Sequence, residues 1–515
     1  MLTKPLFFFC LFTSCLMYAQ QTPLSLHSYF SDHLFAKAIP ENYRGGSFFP
    51  AILVEKHVFT SSYDSTFFKN KVSKKIYLQH LVEVKGENYQ LSLSPIFNFS
   101  MGKDYTDSIQ NNLFQNTRGF YIEANLMKKV SLVSTFSETQ ARYSSYESNY
   151  YAEHGELYPI DSINFQAQNA VIPGASRTKS FKENAVDYSF STGLIVYQPF
   201  KKLTLLAGNS PQFIGDGYRS MLLSDNAFAA PFFKVCYHLH PKWEINYMRL
   251  RALNLVRKSA SSSVEAYYEP KAFSVNYYTY HIYPKIALSL FEGILWNMGD
   301  SLQTNRVNPL FYSPIPFLAE LTQNKNEISS IIGMNLSVSS LKNVRLYGQF
   351  ALGSYKNAFA YQLGLRVYTP FGWKNSMLQF EYNQASENMY MASSARINYS
   401  HGNLPMAHPA GSAFNELLVR FNTEYKKCYL AFKTNVYQLN NYSSISLLPI
   451  QKTKSLVTTT FLIQTIEMGY RFNIKMNASI FLAWLYRSDS NTHLIPTNQL
   501  TIGIKTAITN HYNDF

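Results

Sequence analysis

The chain is short of charge. Asp, Glu, Lys and Arg supply 15% of its 515 residues, against about 25% in soluble domains. It is short of cysteine as well: four residues cannot build a disulfide scaffold. Read as strands, "FFKVCYHL" places Cys236 on a face with Lys234 and His238, and "KKCYLAFKTNV" places Cys428 with Leu430 and Phe432. One thiol would face inward and the other outward, so both are expected to be unpaired. Beyond the first residues no uncharged apolar run reaches the roughly 18 residues a membrane helix needs. A helical membrane bundle is therefore excluded, and a mean hydropathy of −0.16 agrees. GxxxxGK followed by Ser or Thr, GxGxxG, HExxH and paired CxxC are all missing. Their absence removes nucleotide loops and the common zinc sites.

What the chain does have is aromatic residues. Tyr and Phe number 39 each, while Trp stands at 4. At the start, Lys4 precedes an apolar run from Leu6 to Met17, and Ala19 is a small residue before a polar stretch. That pattern predicts a signal peptide over residues 1–19 and export. Cys15 in "LFTSC" offers lipoprotein processing as a weaker alternative, because apolar residues continue past it.

From about residue 76 to the end, strict alternation recurs. Tyr361, Leu363, Leu365 and Val367 oppose Gln362, Gly364 and Arg366; Leu378, Phe380 and Tyr382 oppose Gln379, Glu381 and Asn383. Tyr188, Phe190, Thr192, Leu194 and Val196 oppose Asp187, Ser189, Ser191 and Gly193. Ile466, Met468, Tyr470 and Phe472 alternate with Glu467 and Arg471, and Leu500, Ile502 and Ile504 share a face near the end. Period two over about ten residues suits a tilted strand crossing a bilayer. The polar faces are too wet for a sandwich core and suit a large lumen. The expected fold is all-β: a transmembrane antiparallel outer-membrane β-barrel of about 18 strands, with a short N-terminal non-barrel segment. Residues 20–75 would form that periplasmic or lumen segment, and 76–515 the barrel. Polar stretches at 139–185, 256–272 and 384–415 read as external loops or internal folds. Residues 20–75 are too short for the plug of a TonB-dependent transporter. Phe515 supplies the terminal aromatic common in such barrels, although a polar run precedes it.

One stretch stands apart: Ile214 to Asp225, "IGDGYRSMLLSD". It lacks the Lys and hydroxyl of a phosphate loop, and Asp216 and Asp225 are spaced too far for a calcium loop. A catalytic aspartate stays open, but the preferred reading is architectural. Gly215 and Gly217 would allow tight turns, and Arg219 would pair with Asp216, Asp225 or a lumen carboxylate such as Glu138. His401 and His408 lie in "YSHGNLPMAHPAGSAFNE" with Ser400, Ser412 and Glu416 nearby, yet no Ser–His–acid order emerges. No metal or cofactor is expected. A net charge of +14 is scattered rather than striped, which argues against nucleic acid and allows attraction to lipopolysaccharide or acidic polysaccharide.

The stretch "FIGDGYRSMLLSDNAFAAPFFKV" resembles the signature block of a Bacteroidota outer-membrane family that includes capsule assembly Wzi-like and gliding motility RemB-like proteins. Further blocks follow in order: "NTRGFYIEANLMKKVSLVSTFSETQARY" at 116–143, "VIPGASRTKSFKENAVDYSFSTG" at 171–193, "VNPLFYSPIPF" at 307–317, "LYGQF" at 346–350 and "NYSHGNLPMAHPAGSAFNE" at 398–416. The chain departs from the pattern at "QASENMYMAS", 384–393, and in "SPIPF", which lacks a glutamate often found there. The resemblance implies a non-enzymatic barrel in the outer membrane that attaches or organises capsular or extracellular polysaccharide. Its contacts would be outer-membrane lipid, lipopolysaccharide and that polysaccharide. Asp216, Tyr218, Arg219, Asp225, Arg118, Glu138, Arg177, His401 and His408 are the candidate ligand-contact or structural residues. A passive porin is the alternative, and a rim hydrolase would require His401 or His408.

Overall fold

The computed structural model describes residues 79–515 apart from 128, 161–164, 176–177, 228, 258–267, 300–305, 320–327, 340, 441–457 and 491–495. It also describes 22–23, 27–30, 32, 47–50, 52–53 and 70–77. The expected signal peptide and Arg177 lie outside the described residues.

Eighteen strands close into one antiparallel barrel. The first group is β1 (Tyr89–Asp104), β2 (Asn112–Leu126), β3 (Val130–Arg142), β4 (Ala185–Phe200), β5 (Leu203–Ser210) and β6 (Ala230–His240). Next come β7 (Trp243–Asn254), β8 (Glu269–Tyr283), β9 (Ile286–Asn297), β10 (Ile328–Val338), β11 (Val344–Gly353) and β12 (Ala358–Tyr368). The circuit ends with β13 (Ser376–Ala385), β14 (Phe414–Tyr425), β15 (Cys428–Leu439), β16 (Thr459–Asn473), β17 (Ala478–Asp489) and β18 (Thr497–Thr506). Each strand pairs with its sequence neighbour, and closure comes from β18 against β1, with Ile502 opposite Met101 and Ile504 opposite Phe99. Closure leaves no unpaired edge, which hydrocarbon demands of any spanning sheet. At one rim every connection has two to seven residues, while the other rim carries all the long ones, 143–184, 298–327 and 386–413 among them. By that asymmetry the short turns are periplasmic and the long loops extracellular.

The side-chain alternation works as expected on most strands. On β13, Gln379, Glu381 and Asn383 are buried toward the lumen, while Phe380 is exposed on the outside. On β12, Gln362 and Arg366 point in, and Leu363 points out. Leu500, Ile502 and Ile504 of β18 join Phe99 and Met101 of β1 in the outer apolar surface. Cys236 and Cys428 are both free, as the strand parity implied.

On β4 the polarity is inverted. Leu194 and Val196 are buried in the interior core, and Tyr188 and Phe190 also face inward. Asp187, Ser189 and Ser191 therefore point outward, toward the extracellular end of the strand. The interior explains this. The lumen is not simply wet: residues 211–227, between β5 and β6, and 386–413, between β13 and β14, fold into it. Ile214, Met221, Leu222 and Leu223 meet Met389, Tyr390, Ile397, Tyr399, Leu404 and Met406 in one core with the inward residues of the wall. Wall residues facing that core must be apolar or small, and Ala351, Ala360 and Ala385 are fully or almost fully buried there. A helix, Ser145–Glu153, and a hairpin of Glu156–Pro159 with Phe165–Gln168 lie in the connection after β3.

The outer belt can be tested directly. Ile502→Arg places a charge near the middle of the lipid-facing surface and should lower unfolding free energy by about 2–4 kcal/mol, whereas Arg at Tyr105, past the end of β1, should cost about 0–1 kcal/mol. Guanidinium unfolding in phospholipid vesicles measures both, and equal costs would contradict the bilayer placement.

Candidate functional site

The Ile214–Asp225 stretch descends into the barrel, so every backbone group it carries must find a protein partner. Its start is clamped by residues from the N-terminal segment. Phe48–Phe49 pairs as a short strand with Phe213–Ile214, and the Gly215 amide donates to the Ser47 carbonyl at 2.8 Å. Gly215 has a φ of 146°, where a side chain would be strained. Gly217 is needed for a different reason: a Cβ there would stand 2.6 Å from Glu381 Oε2.

That closeness serves a purpose. The Glu381 carboxylate accepts the consecutive amides of Tyr218 and Arg219, at 2.8 and 3.0 Å. It also accepts from Tyr347 Oη at 2.7 Å and from Asn383 at 3.0 Å. Gln349 accepts the Met221 amide at 2.7 Å and donates to the Ile214 carbonyl at 3.0 Å. Gln362 donates to the Arg219 carbonyl at 2.9 Å. Tyr390 and Tyr399, from the second inserted segment, donate to the carbonyls of Met221 and Leu222 at 2.8 and 2.7 Å. Side chains of the wall thus replace the ladder that a loop in water would leave to solvent.

The charges form two nodes. Asp216 is bound by Arg345, by Ser47 Oγ at 2.7 Å and by Asn335 at 3.0 Å. Burial alone would raise its pKa, but the Arg345 guanidinium and these hydrogen bonds hold it below the ordinary carboxylate range. Arg219 forms the second node. Its Nη2 lies 3.3 Å from Glu416 Oε1 and 3.0 Å from Asp514 Oδ1, and it donates to the Asp514 carbonyl at 2.8 Å and to Tyr437 Oη. The rings of Tyr218 and Tyr512 lie 4.9 and 5.4 Å from its guanidinium carbon. Lys433 reaches Asp514 at 2.7 Å and Tyr218 Oη at 3.1 Å.

The expected partners of Arg219 are therefore corrected. Asp216 is taken by Arg345. Asp225 accepts from Tyr512 Oη at 2.7 Å and Asn510 at 2.9 Å, and burial pushes its pKa up. Glu138 is not a lumen residue: it sits on the outer face of β3, in register with Arg118 on β2. Even residues of β2 and β3 point outward there, leaving Thr117 and Thr139 to face inward and bond each other at 2.9 Å. Arg118 and Glu138 thus lie apart from the network. His401 and His408 are buried within the second inserted segment. His401 Nδ1 accepts the Leu253 amide at 3.0 Å, and burial lowers its pKa to about 3. His408 Nε2 bonds Glu416 at 2.7 Å; burial lowers its pKa, with the carboxylate opposing. Both rings are spent on structural bonds.

Residues 507–515 were unforeseen as a part of this network. Beyond β18 the chain turns into the barrel, placing Tyr512 and Asp514 beside Arg219, while Phe515 stacks on Tyr150 at 3.7 Å. Asp514 was hidden in a run read only for its terminal aromatic. Glu416 was visible beside His408 in sequence, but its link to Arg219, 197 positions away, was not. A cavity of about 770 Å³ remains against β14–β18 and β1–β4, lined by Arg420, Lys433, Glu467, Lys505, Thr117 and Thr139 among others. Its cations are neutralised: Arg420 by Asp32 at 3.2 Å, Lys433 by Asp514, Arg471 by Glu424 at 2.8 Å, and Lys505 by Glu467 at 2.7 Å. Among the described residues no group of three His, Cys, Asp or Glu side chains could hold a metal.

Fold and site together define a transmembrane β-barrel whose lumen is occupied by its own chain. No family model and no curated protein matches the sequence. Among solved structures, the chain is similar to Wzi of Escherichia coli, an outer membrane protein involved in group 1 capsule assembly and a carbohydrate-binding β-barrel. Identity is 11%, with 96% of this chain and 95% of that chain covered at a TM-score of 0.47. It is also similar to OccK7 (OpdD) of Pseudomonas aeruginosa, at 8% identity, 82% and 99% coverage and a TM-score of 0.45. A third, OpdK of Pseudomonas aeruginosa solved with vanillate, gives 8%, 81% and 98%, and 0.43.

Removing the Arg219 cation should be costly, because it strands two buried carboxylates. Arg219→Ala is expected to lose about 3–5 kcal/mol, and Glu416→Gln in that background should recover part of it. Guanidinium unfolding in detergent micelles reads the change; a loss under about 0.5 kcal/mol, typical of surface positions, would show that the network does not hold the inserted loop.

Proposed function

We propose that this chain is a non-enzymatic outer-membrane barrel that attaches or organises capsular or other extracellular polysaccharide at the cell surface, with surface gliding as one setting. The observation that carries the reading is the filled lumen. Two inserted segments and residues 507–515 occupy much of the space a diffusing solute would need, with polar groups bonded to the wall and to one another. The sequence blocks that resemble the capsule and gliding family support it as well. The block at 213–235 includes most of the first inserted segment, and that at 398–416 covers much of the second.

Polysaccharide would meet the chain at its extracellular loops. Sugar rings stack on aromatic faces, and hydroxyls or carboxylates take hydrogen bonds from Arg and Asn. The cavity beside β14–β18 favours a second reading, passive conduction of small solutes. It would require that cavity to continue past the Arg219 node.

Two measurements on the purified full chain separate these readings. Polysaccharide prepared from the producing cells should bind saturably in biolayer interferometry, and planar bilayers should show no single-channel steps. Stable conductance steps together with no saturable binding would move the assignment to a channel. Loss of the chain from the cell should also reduce polysaccharide retention or spreading.

A further inference from the structure

The outer wall carries a feature that neither the lumen nor the extracellular loops account for. On β10–β12 the outward residues are apolar over most of the strand length: Leu336, Met334, Phe350, Leu352 and Leu363 are all exposed. On β7–β9 that belt is truncated. Trp243 and Ile245, Tyr280 and Tyr278, and Leu290 begin it on the periplasmic side, but farther up the same outward faces stand Asn276, Glu292 and Arg249. Charged groups on a lipid-facing wall are expensive. They are not left bare. The segment after β9 folds back down the outside of the barrel and covers them.

We propose that Pro309–Phe317 is a lipid-embedded strap, lying in the outer leaflet and completing the apolar belt over β7–β9. Its underside is bound to the polar cluster. The Phe317 amide donates to Glu292 Oε1 at 2.6 Å, and Asn276 donates to Glu292 Oε2 at 2.7 Å. Arg249 donates to the Phe311 carbonyl and, at 2.7 Å, to that of Ser313. Phe311 is buried with Ala272, Ile294 and Trp296. Its upper side is the opposite: Tyr312 is 63% exposed and Ile315 59%, and Phe317 is exposed too.

The backbone bonding points to lipid rather than water. Irregular backbone survives in hydrocarbon only when its polar groups are satisfied by protein. The carbonyls of Tyr312 and Pro314 accept from Tyr247 and Tyr278, at 2.8 and 2.6 Å, so four consecutive carbonyls, 311–314, are taken by wall side chains. Pro309, Pro314 and Pro316 carry no N–H. The amides of Leu310, Phe311, Ser313 and Ile315 are bonded within the segment and its cap, Asn308. A loop lying in water would have no need of this. The exposed side chains continue the belt of β10–β12, and lipid is the occupant that continuity selects.

Site-directed spin labelling of the full chain in phospholipid vesicles tests the strap. Labels go on Ile315→Cys, on Leu290→Cys in the established belt and on Gln166→Cys in the extracellular hairpin, with all four native cysteines replaced by Ser. Collision with oxygen should exceed collision with nickel–EDDA at Ile315 and Leu290, and the order should reverse at Gln166. Ile315 behaving like Gln166 would overturn the proposal. Loss of both collisions at Ile315, with Leu290 unchanged, would overturn it in favour of a covering protein surface or second copy. An aqueous reading at Leu290 would overturn the strap and the bilayer placement together.

Discussion

Every backbone polar group kept from water has to be paired, and the whole molecule follows from how that demand is met. The sheet meets it by closing β18 on β1. Closure with 18 strands, however, creates an interior too wide for wall side chains to fill. The chain fills it with itself, and inserted loops then inherit the same demand without a ladder to meet it. Glu381, Gln349 and Gln362 answer it by reaching inward to the amides and carbonyls of residues 214–221. On β11–β13 the polar stripe is therefore less a water-filled channel lining than a set of sockets for a particular loop.

That reversal of role explains which expectations were legible. Period-two alternation depends only on neighbouring residues, so strand number, which residues share a face, and the two free thiols could be read directly. Which face is inside depends on what fills the lumen. On β4 the filler is apolar, so the apolar face turned inward and the assignment by wetness inverted. Arg219 was recognisable as a buried cation needing an anion, yet its partners come from β14 and from the segment after β18. Barrel closure brings those elements together across hundreds of positions, and no local spacing encodes it. Glu138 misled for a related reason: a carboxylate in a barrel strand is not a lumen carboxylate until the parity of that strand is known.

The buried charges also say something about specificity. Arg219 with Glu416 and Asp514, and Asp216 with Arg345, sit where burial of either sign alone would be prohibitive. Such pairs contribute little net stability compared with apolar packing of equal volume. What they do impose is a unique seating, because a loop displaced by one residue would leave ions unpaired. An apolar plug could slide within a lumen lined by Ala and Leu; this one is keyed. Gly217 sharpens the key, since only a residue without a side chain lets the Glu381 carboxylate approach two successive amides.

Inside and outside the wall obey one rule. A face of a β-barrel takes the polarity of whatever covers it, and the solvent alone does not decide. The lumen face of β4 is apolar where a loop presses on it, and the outer face of β7–β9 is polar where a loop presses on it. In both places the covering segment turns its own far side to the next environment. For residues 211–227 that environment is the rest of the core; for Pro309–Phe317 it is what surrounds the barrel. Segments spent in this way are withdrawn from the extracellular surface. What stays outside is the Ser145–Glu153 helix, the paired strands Glu156–Pro159 and Phe165–Gln168, and the rims of the remaining loops. A barrel that commits so much chain to filling its own lumen leaves the rest of its irregular backbone outside the wall, where water rather than a socket of side chains can satisfy it.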